Sequence, residues 1–295
     1  MLFFPTERLS IGKRADSVFL PTDRLSAGKR ADSVFLPQFH LFEFNECRWF
    51  PQSLKNAITE VLRVMCFQIR VHEVILQVIE NAINRTKAQQ IVDLCSGAGG
   101  PILPIQQQLA KSGRPIRVFL TDKFPNRPAF QRCEELTGGF VRGYTEPVPA
   151  ENVPAELTGL RTLFNAFHQF PPASAREILA DAYRSRQPIA IFEITERNVF
   201  RTLSNFPLSF LTMMALLPRM QSRRPEWWLF TYLVPILPLA FGWDAFVSCL
   251  RSYTASEFNA LKEGLDERYS WSSGRVAVPG TPIHVNYFLG MPSGE

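Results

Sequence analysis

From residue 38 onward, short apolar runs alternate with longer stretches of helical spacing. Phe39, Leu41, Phe42, Phe44, Trp49 and Phe50 form a dense aromatic segment closed by Pro51. Ser53 reads as an N-cap, and Leu54, Ile58, Val61, Leu62 and Met65 then fall on one helical face. A second helix is expected from Val71 to Asn84, with Val74, Ile75, Val78, Ile79 and Ala82 on its apolar side. Beyond it the pattern turns to strand and helix in alternation. Strands are expected at the run beginning Ile91, at Ile116 to Thr121, near Phe140 to Tyr144, at Leu160 to Ala166 and at Pro188 to Ile194. Helices are expected between them at Pro101 to Lys111, Pro128 to Leu136 and Ala175 to Arg184, the last opened by a capping box of Ser174 and Glu177. Short connections between such elements imply an α/β fold around a mostly parallel, doubly wound sheet.

The alternation then breaks. Phe206 to Leu217 and Trp227 to Trp243 are apolar, with Arg219, Arg223 and Arg224 between them. The second run holds Pro235 and Pro238 and is shorter than the roughly 20 residues of a spanning helix. Tryptophans at its ends and arginines at one side suit a hairpin in a membrane interface, and a buried substrate-binding subdomain suits them equally. After it, Thr254 and Glu257 make a capping box for a helix through Leu265, and Tyr269 to Val278 and Ile283 to Gly290 read as strands joined by Pro279-Gly280.

The chemistry concentrates in Ile91-Val92-Asp93-Leu94-Cys95-Ser96-Gly97-Ala98-Gly99-Gly100-Pro101, a strand, a glycine-rich turn and a helix start. In an open α/β sheet that sequence of elements brings backbone close to a nucleotide-like ligand. A pyrophosphate favours a third glycine three positions after the second, with free N–H groups at the helix start. Here that position is Ile102, Pro101 lacks a donor, and Asp93 would place a negative charge beside the phosphates. S-adenosylmethionine carries an ammonium and a sulfonium and no phosphate, so the turn favours it over a dinucleotide. Asp122 ends the next strand, 23 residues beyond Gly99, near the roughly 20-residue offset at which a carboxylate meets ribose hydroxyls.

Asp-Leu-Cys-Ser-Gly-Ala-Gly resembles the first motif of class I S-adenosylmethionine-dependent methyltransferases, with Cys95 where the usual first glycine stands. The resemblance covers residues 85–195 by motif and 254–291 by pattern. It implies a Rossmann-like sheet whose last strand is antiparallel, and a helical N-terminal segment that covers the cofactor. It also implies cofactor contacts at Asp93, Cys95, Gly97, Gly99, Asp122 and Asn165. His168, beyond the fourth strand, becomes the candidate catalytic base, since its unperturbed pKa suits neutral pH. Pro149-Ala150 stands where the family often has an Asp-Ala pair touching adenine. Asp93, Asp122, Asn165, His168 and Glu193 are all expected at the carboxyl ends of strands, where open α/β sheets bind ligands.

Composition narrows this further. A chain of 295 residues, 46% hydrophobic and with 25 Phe, can bury a substantial core. Net charge is +5, of which residues 1–37 carry two, too slight and scattered to imply a nucleic-acid partner. Five cysteines without metal or disulfide spacing fit a reducing, cytoplasmic setting, and the opening Met-Leu-Phe-Phe-Pro is too short for a signal peptide. Residues 6–21 recur at 22–37 with 14 of 16 positions identical. Two copies are too few for a solenoid, so residues 1–37 are expected to form a poorly ordered tail. The expected organisation is therefore a tail (1–37), a helical cover (38–86) and a methyltransferase domain (87–295) with an apolar insert (198–250). The expected activity is methyl transfer from S-adenosylmethionine to a small or lipid-like acceptor, with peripheral membrane contact through 206–243. An NAD(P)-dependent oxidoreductase, or a membrane-associated protein that binds S-adenosylmethionine without catalysis, are the rival readings. Oligomeric state is left open.

Overall fold

The computed structural model describes residues 37–220 and 224–293. The tandem repeat expected to form a tail lies outside them, apart from Pro37. Two helices come first, α1 (Gln52–Gln68) and α2 (Val71–Thr86). The alternating part follows as β1 (Gln90–Leu94), α3 (Ile102–Lys111), β2 (Arg117–Leu120), α4 (Arg127–Leu136), β3 (Val141–Gly143), β4 (Leu160–Phe164), α5 (Pro172–Arg184) and β5 (Ile189–Glu193). The insert contributes α6 (Val199–Leu216), the short α7 (Pro225–Trp228), a π-helical turn at Leu229–Leu233, and α8 (Ile236–Arg251). The chain closes with α9 (Ala255–Leu261), β6 (Tyr269–Ala277) and β7 (His284–Pro292).

The seven strands lie in the order β3-β2-β1-β4-β5-β7-β6. β1 to β5 are mutually parallel, and β7 runs antiparallel to both β5 and β6. This is the Rossmann-like, doubly wound sheet with an antiparallel last strand that the pattern and the resemblance imply. Chain order reverses across β1 and β4, which places a crevice at the carboxyl ends of those two strands.

Successive strand residues point to opposite faces, and each face has its own core. Ile91, Val118 and Ala190 pack with Ile75, Ile79, Ile102 and Ile105 of α2 and α3 on one side. Val92, Leu163 and Ile191 pack with Ile178 of α5 and Phe258 of α9 on the other. A third core lies off the sheet, where Ile58 and Val61 of α1 meet Met213 of α6, Trp227 of α7 and Phe241 of α8. The two N-terminal helices therefore divide, α2 belonging to the sheet and α1 sharing a core with the insert.

Several local expectations shift for identifiable reasons. α5 starts at Pro172 with Pro171 before it, because proline already holds the φ that a first helical turn needs. Ser174 then lies inside the helix and Glu177 pairs with Arg184 instead of capping. Likewise α1 is entered through Pro51, and the Ser53 hydroxyl donates to Glu226 of the insert at 2.8 Å. The Thr254–Glu257 capping box forms as expected.

Candidate functional site

β1 ends in a turn built on three left-handed residues, Cys95 (φ 55°), Gly97 (φ 54°) and Gly99 (φ 86°). Cys95 explains why the related motif has glycine at that position, since a side chain there costs of order 1 kcal/mol or more. Gly99 is required by space: a Cβ would lie 2.7 Å from Cys133 Sγ. Around Gly97 nothing stands within 4 Å of a would-be Cβ, so this residue faces open space with its backbone. The Ser96 hydroxyl donates to the Asp93 carbonyl at 2.7 Å and Ser96 N–H donates to the Thr121 carbonyl at 3.0 Å, which ties the turn to the end of β2.

That tie brings Asp122 to the turn. Its Oδ2 accepts the Gly97 N–H at 3.0 Å and its Oδ1 accepts the Phe124 N–H at 2.9 Å. Each oxygen keeps a further lone pair, and the side chain is half-buried at the crevice. Asp122 is thus the accessible carboxylate of the site, beside open backbone at Gly97.

Asp93 lies at the carboxyl end of β1, where its sequence position puts it, and its side chain is held within the sheet. It is 2% exposed, and its Oδ1 accepts the Thr162 hydroxyl at 2.7 Å, clamping β1 to β4 beneath the turn. Burial pushes its carboxyl up to about 7. Asp244 of α8 is likewise raised to about 7 by burial. In the unfolded chain both titrate near 4, so between about pH 4 and 7 the folded state holds protons that the unfolded state releases. Stability should therefore fall as pH rises through that window, by up to about 4 kcal/mol for each carboxyl. Thermal unfolding followed from pH 5 to pH 8 checks this. Asp93→Asn, which keeps the Thr162 bond, should flatten the decline.

Asn165, after β4, adopts φ 50° and joins the ends of β4 and β5. Its N–H donates to the Phe192 carbonyl at 2.7 Å and its Oδ1 accepts the Ile194 N–H at 3.2 Å. His168 lies in a 3-10 turn (Phe167–Gln169) and is 1% exposed, so it does not stand in an open acceptor pocket. Its Nδ1 is bonded to Glu193 Oε2 at 2.7 Å, and its Nε2 is 3.9 Å from Oε1 of Glu43, which comes from the segment before α1. Desolvation alone would lower the His168 pKa, but Glu193 and Glu43 outweigh it and hold the pKa above the ordinary value. In this conformation His168 is enclosed, with a carboxylate beside each ring nitrogen. Glu43 also accepts the Ser248 hydroxyl at 3.0 Å and lies 3.4 Å from Arg251, which pairs with Glu46 at 2.6 Å.

On the other side of the turn is a feature that the sequence pattern alone does not disclose. A cavity of about 110 Å³ runs along Ala98–Pro101 and is closed by Arg63, Cys66, Phe67 and His72 of α1 and α2. Pockets for whole ligands are about 300–1,000 Å³, so this one suits the end of an extended ligand. His72 is 7% exposed, its Nδ1 has no hydrogen-bond partner among the described residues, and the Phe67 ring stacks on it at 5.6 Å. Burial lowers the His72 pKa and leaves the ring neutral. Burial also raises the Cys66 thiol to about 11 and pushes the Cys95 thiol up, so neither is a nucleophile at neutral pH. No group of metal-ligating side chains occurs among the described residues.

No protein-family model matches the chain, and no curated protein matches it in sequence. Among solved structures it is similar to LepI in complex with SAM, at 14% identity over 69% of this chain and 43% of that one, with a TM-score of 0.42. It is similar to the methyltransferase domain of bacterial CtHen1, at 10% identity over 77% of this chain and 99% of that one, with a TM-score of 0.44. A putative Zn-dependent alcohol dehydrogenase from Rhodobacter sphaeroides is similar at 12% identity over 70% and 85%, with a TM-score of 0.42. The chain spans less than half the length of the LepI chain. At such identities and scores, what the site does has to come from its own residues.

Proposed function

We propose that the chain is an S-adenosylmethionine-dependent methyltransferase acting on a small or lipid-like acceptor. The observation that carries the reading is Asp122, an accessible carboxylate at the end of β2 bonded to the open Gly97 turn. Such a carboxylate suits ribose hydroxyls. The same turn is poorly suited to a pyrophosphate. Ile102 is fully buried in the core where a third glycine would bring helix and strand together, and Pro101 has no N–H to give. Those two features weigh against the NAD(P) alternative.

The residues fit the cofactor as follows. Asp122 would hold the ribose and the Gly97 backbone would pass beneath it. Arg63, whose guanidinium also pairs with Glu60 at 2.7 Å, and His72 Nδ1 would meet the carboxylate end in the cavity beside Gly99 and Gly100. When bound, the cofactor supplies an electrophilic methyl on a sulfonium sulfur. The protein's own part is to align the acceptor in line with that methyl and to exclude water. Glu193 fixes the His168 ring through Nδ1, and Glu43 covers Nε2. His168 can act as the acceptor's base only after Glu43 moves aside and opens Nε2.

That enclosure favours one second reading, a protein that binds the cofactor without turnover. Incubation with a labelled methyl donor and a lipid extract separates the two. Label in the organic phase, absent with Asp122→Ala, is the expected result. Cofactor binding without transfer to any lipid or small-molecule fraction would favour the second reading.

A further inference from the structure

The insert leaves a broad apolar face with no partner among the described residues. On α6, Phe200, Leu203, Leu208 and Leu211 are all more than half exposed, although the opposite side of the helix is buried at Thr202, Ser209, Met213 and Leu216. Their spacing of three, five and three residues along the chain keeps them on one side of the helix. Beyond α7 the backbone passes through the π-helical turn and bends by 77° into α8. At this bend, residues 232 to 236, Tyr-Leu-Val-Pro-Ile, are exposed in succession, with Leu233 at 76%. The Tyr232 hydroxyl donates to the Met214 carbonyl at 2.6 Å, which joins the bend to the C-terminal half of α6. Two apolar surfaces thus meet, and soluble proteins seldom leave so much contiguous apolar surface uncovered.

Charge indicates what covers it. Between residues 202 and 243 the only charged side chains are Arg219, Arg223, Arg224, Glu226 and, at 244, the buried Asp244 lies just beyond. Arg219 and Arg224 are both exposed, at the connection between α6 and α7; Arg219 donates to the Ala215 carbonyl at 2.7 Å, and Arg224 lies 3.8 Å from Glu226, which also accepts the Ser53 hydroxyl. A second copy of the chain meeting this face through a two-fold axis would bring the arginines of both copies together, with Glu226, already shared between Ser53 and Arg224, the one carboxylate that residues 202–243 supply. An anionic surface answers them directly. The hydroxyls on this face also need no water: Tyr232 is bonded to Met214, and Thr212 donates to the Leu208 carbonyl at 2.8 Å. Among the described residues no single helix is long and apolar enough to cross a membrane; the pair 225–233 and 236–251 is apolar enough together but bent by 77°, and such a bend suits entry into an interface.

We infer that the face formed by α6 and the bend before α8 docks on an anionic lipid surface, the bend entering the interface and Arg219 and Arg224 lying at the headgroups. The inference is independent of the methyltransferase reading, because docking is measured without cofactor. The full chain is sedimented with vesicles of phosphatidylcholine alone and of phosphatidylcholine mixed with phosphatidylserine. Binding should be strongest to the mixed vesicles at low salt and weaken as salt is added. Arg219→Gln and Arg224→Gln should each weaken it by about fivefold. Leu233→Asp, at an exposed position, should weaken it by about tenfold or more while leaving cofactor affinity and the circular dichroism spectrum unchanged. Wild-type protein that remains in the supernatant with mixed vesicles at low salt overturns the inference. If that protein is a dimer which Leu233→Asp converts to monomer, a second copy is the occupant. Equal binding to both vesicle types, unaffected by the arginine changes, overturns it as well, since charge is what singles out an anionic surface.

Discussion

His168→Leu should destabilise the chain by about 3–5 kcal/mol, the cost of removing one partner from a buried ion network. The substitution deletes the imidazole between Glu193 and Glu43, both of which are 4% exposed. Glu193 keeps the Phe167 N–H at 2.7 Å, and Glu43 keeps Ser248 and Arg251, so the loss falls short of unfolding. His168 has a raised pKa in the folded state, so its contribution is complete below its unfolded pKa of about 6.5 and fades as pH rises through the folded value. The gap between wild type and variant should accordingly narrow at alkaline pH. Thermal unfolding at several pH values reads both effects. A melting temperature within a degree of wild type, together with lost turnover, would mean that His168 serves catalysis and not the buried network.

The second large effect concerns the cofactor. Asp122→Ala should weaken S-adenosylmethionine binding by about 1.5–3 kcal/mol, the range for hydrogen bonds to a charged group. The fold should survive, because Asp122 is half-buried and its protein partners are the N–H groups of Gly97 and Phe124. Some of the loss will come through the turn itself, since the carboxylate also positions Gly97. Asp122→Asn keeps an acceptor for the Gly97 N–H, and comparing the two variants separates turn geometry from direct contact with ligand.

The sheet and the turn were legible because their signals are local. Apolar runs of four or five residues bounded by glycine, proline and polar residues mark the buried parallel strands, and the offset from Gly99 to Asp122 follows from one strand–helix–strand unit. The bond that Asp93 makes is not legible in the sequence, because strand position says where a residue is but not what its side chain meets. Its partner Thr162 lies 69 residues away, on the strand that pairs with β1. Glu43 went unremarked for a similar reason: it meets Ser248 across 205 residues. The cavity beside Gly99 depends on how α1 and α2 pack against the turn, which no motif encodes. One signal for it was present, since His72, Ile75, Ile79 and Ala82 are spaced three, four and three residues apart, placing a polar ring on the buried stripe of α2. The expected capping box at Ser174 failed because Pro171 and Pro172 start the helix earlier than any side-chain cap could.

The insert was legible as composition but not as architecture. Its apolar runs fit either an interfacial hairpin or a buried subdomain, and the structure buries one side of the insert and leaves the other exposed. One side of α6 and α8 packs against α1, with Met213, Leu237 and Phe241 buried, and the other side is exposed at Leu211 and Leu239. Sequence periodicity is a poor guide here because both sides of these helices are apolar.

The central claim is that the Gly97–Asp122 site takes S-adenosylmethionine and not a dinucleotide. Titration calorimetry of the full chain with S-adenosylmethionine, S-adenosylhomocysteine and NAD(H), run side by side with Asp122→Ala, tests it most directly. The account predicts heat of binding from the two sulfur compounds, none from NAD(H), and an affinity loss of about ten- to hundredfold in the variant. Binding of NAD(H) with no response to S-adenosylmethionine, or equal S-adenosylmethionine affinity in wild type and variant, would contradict it.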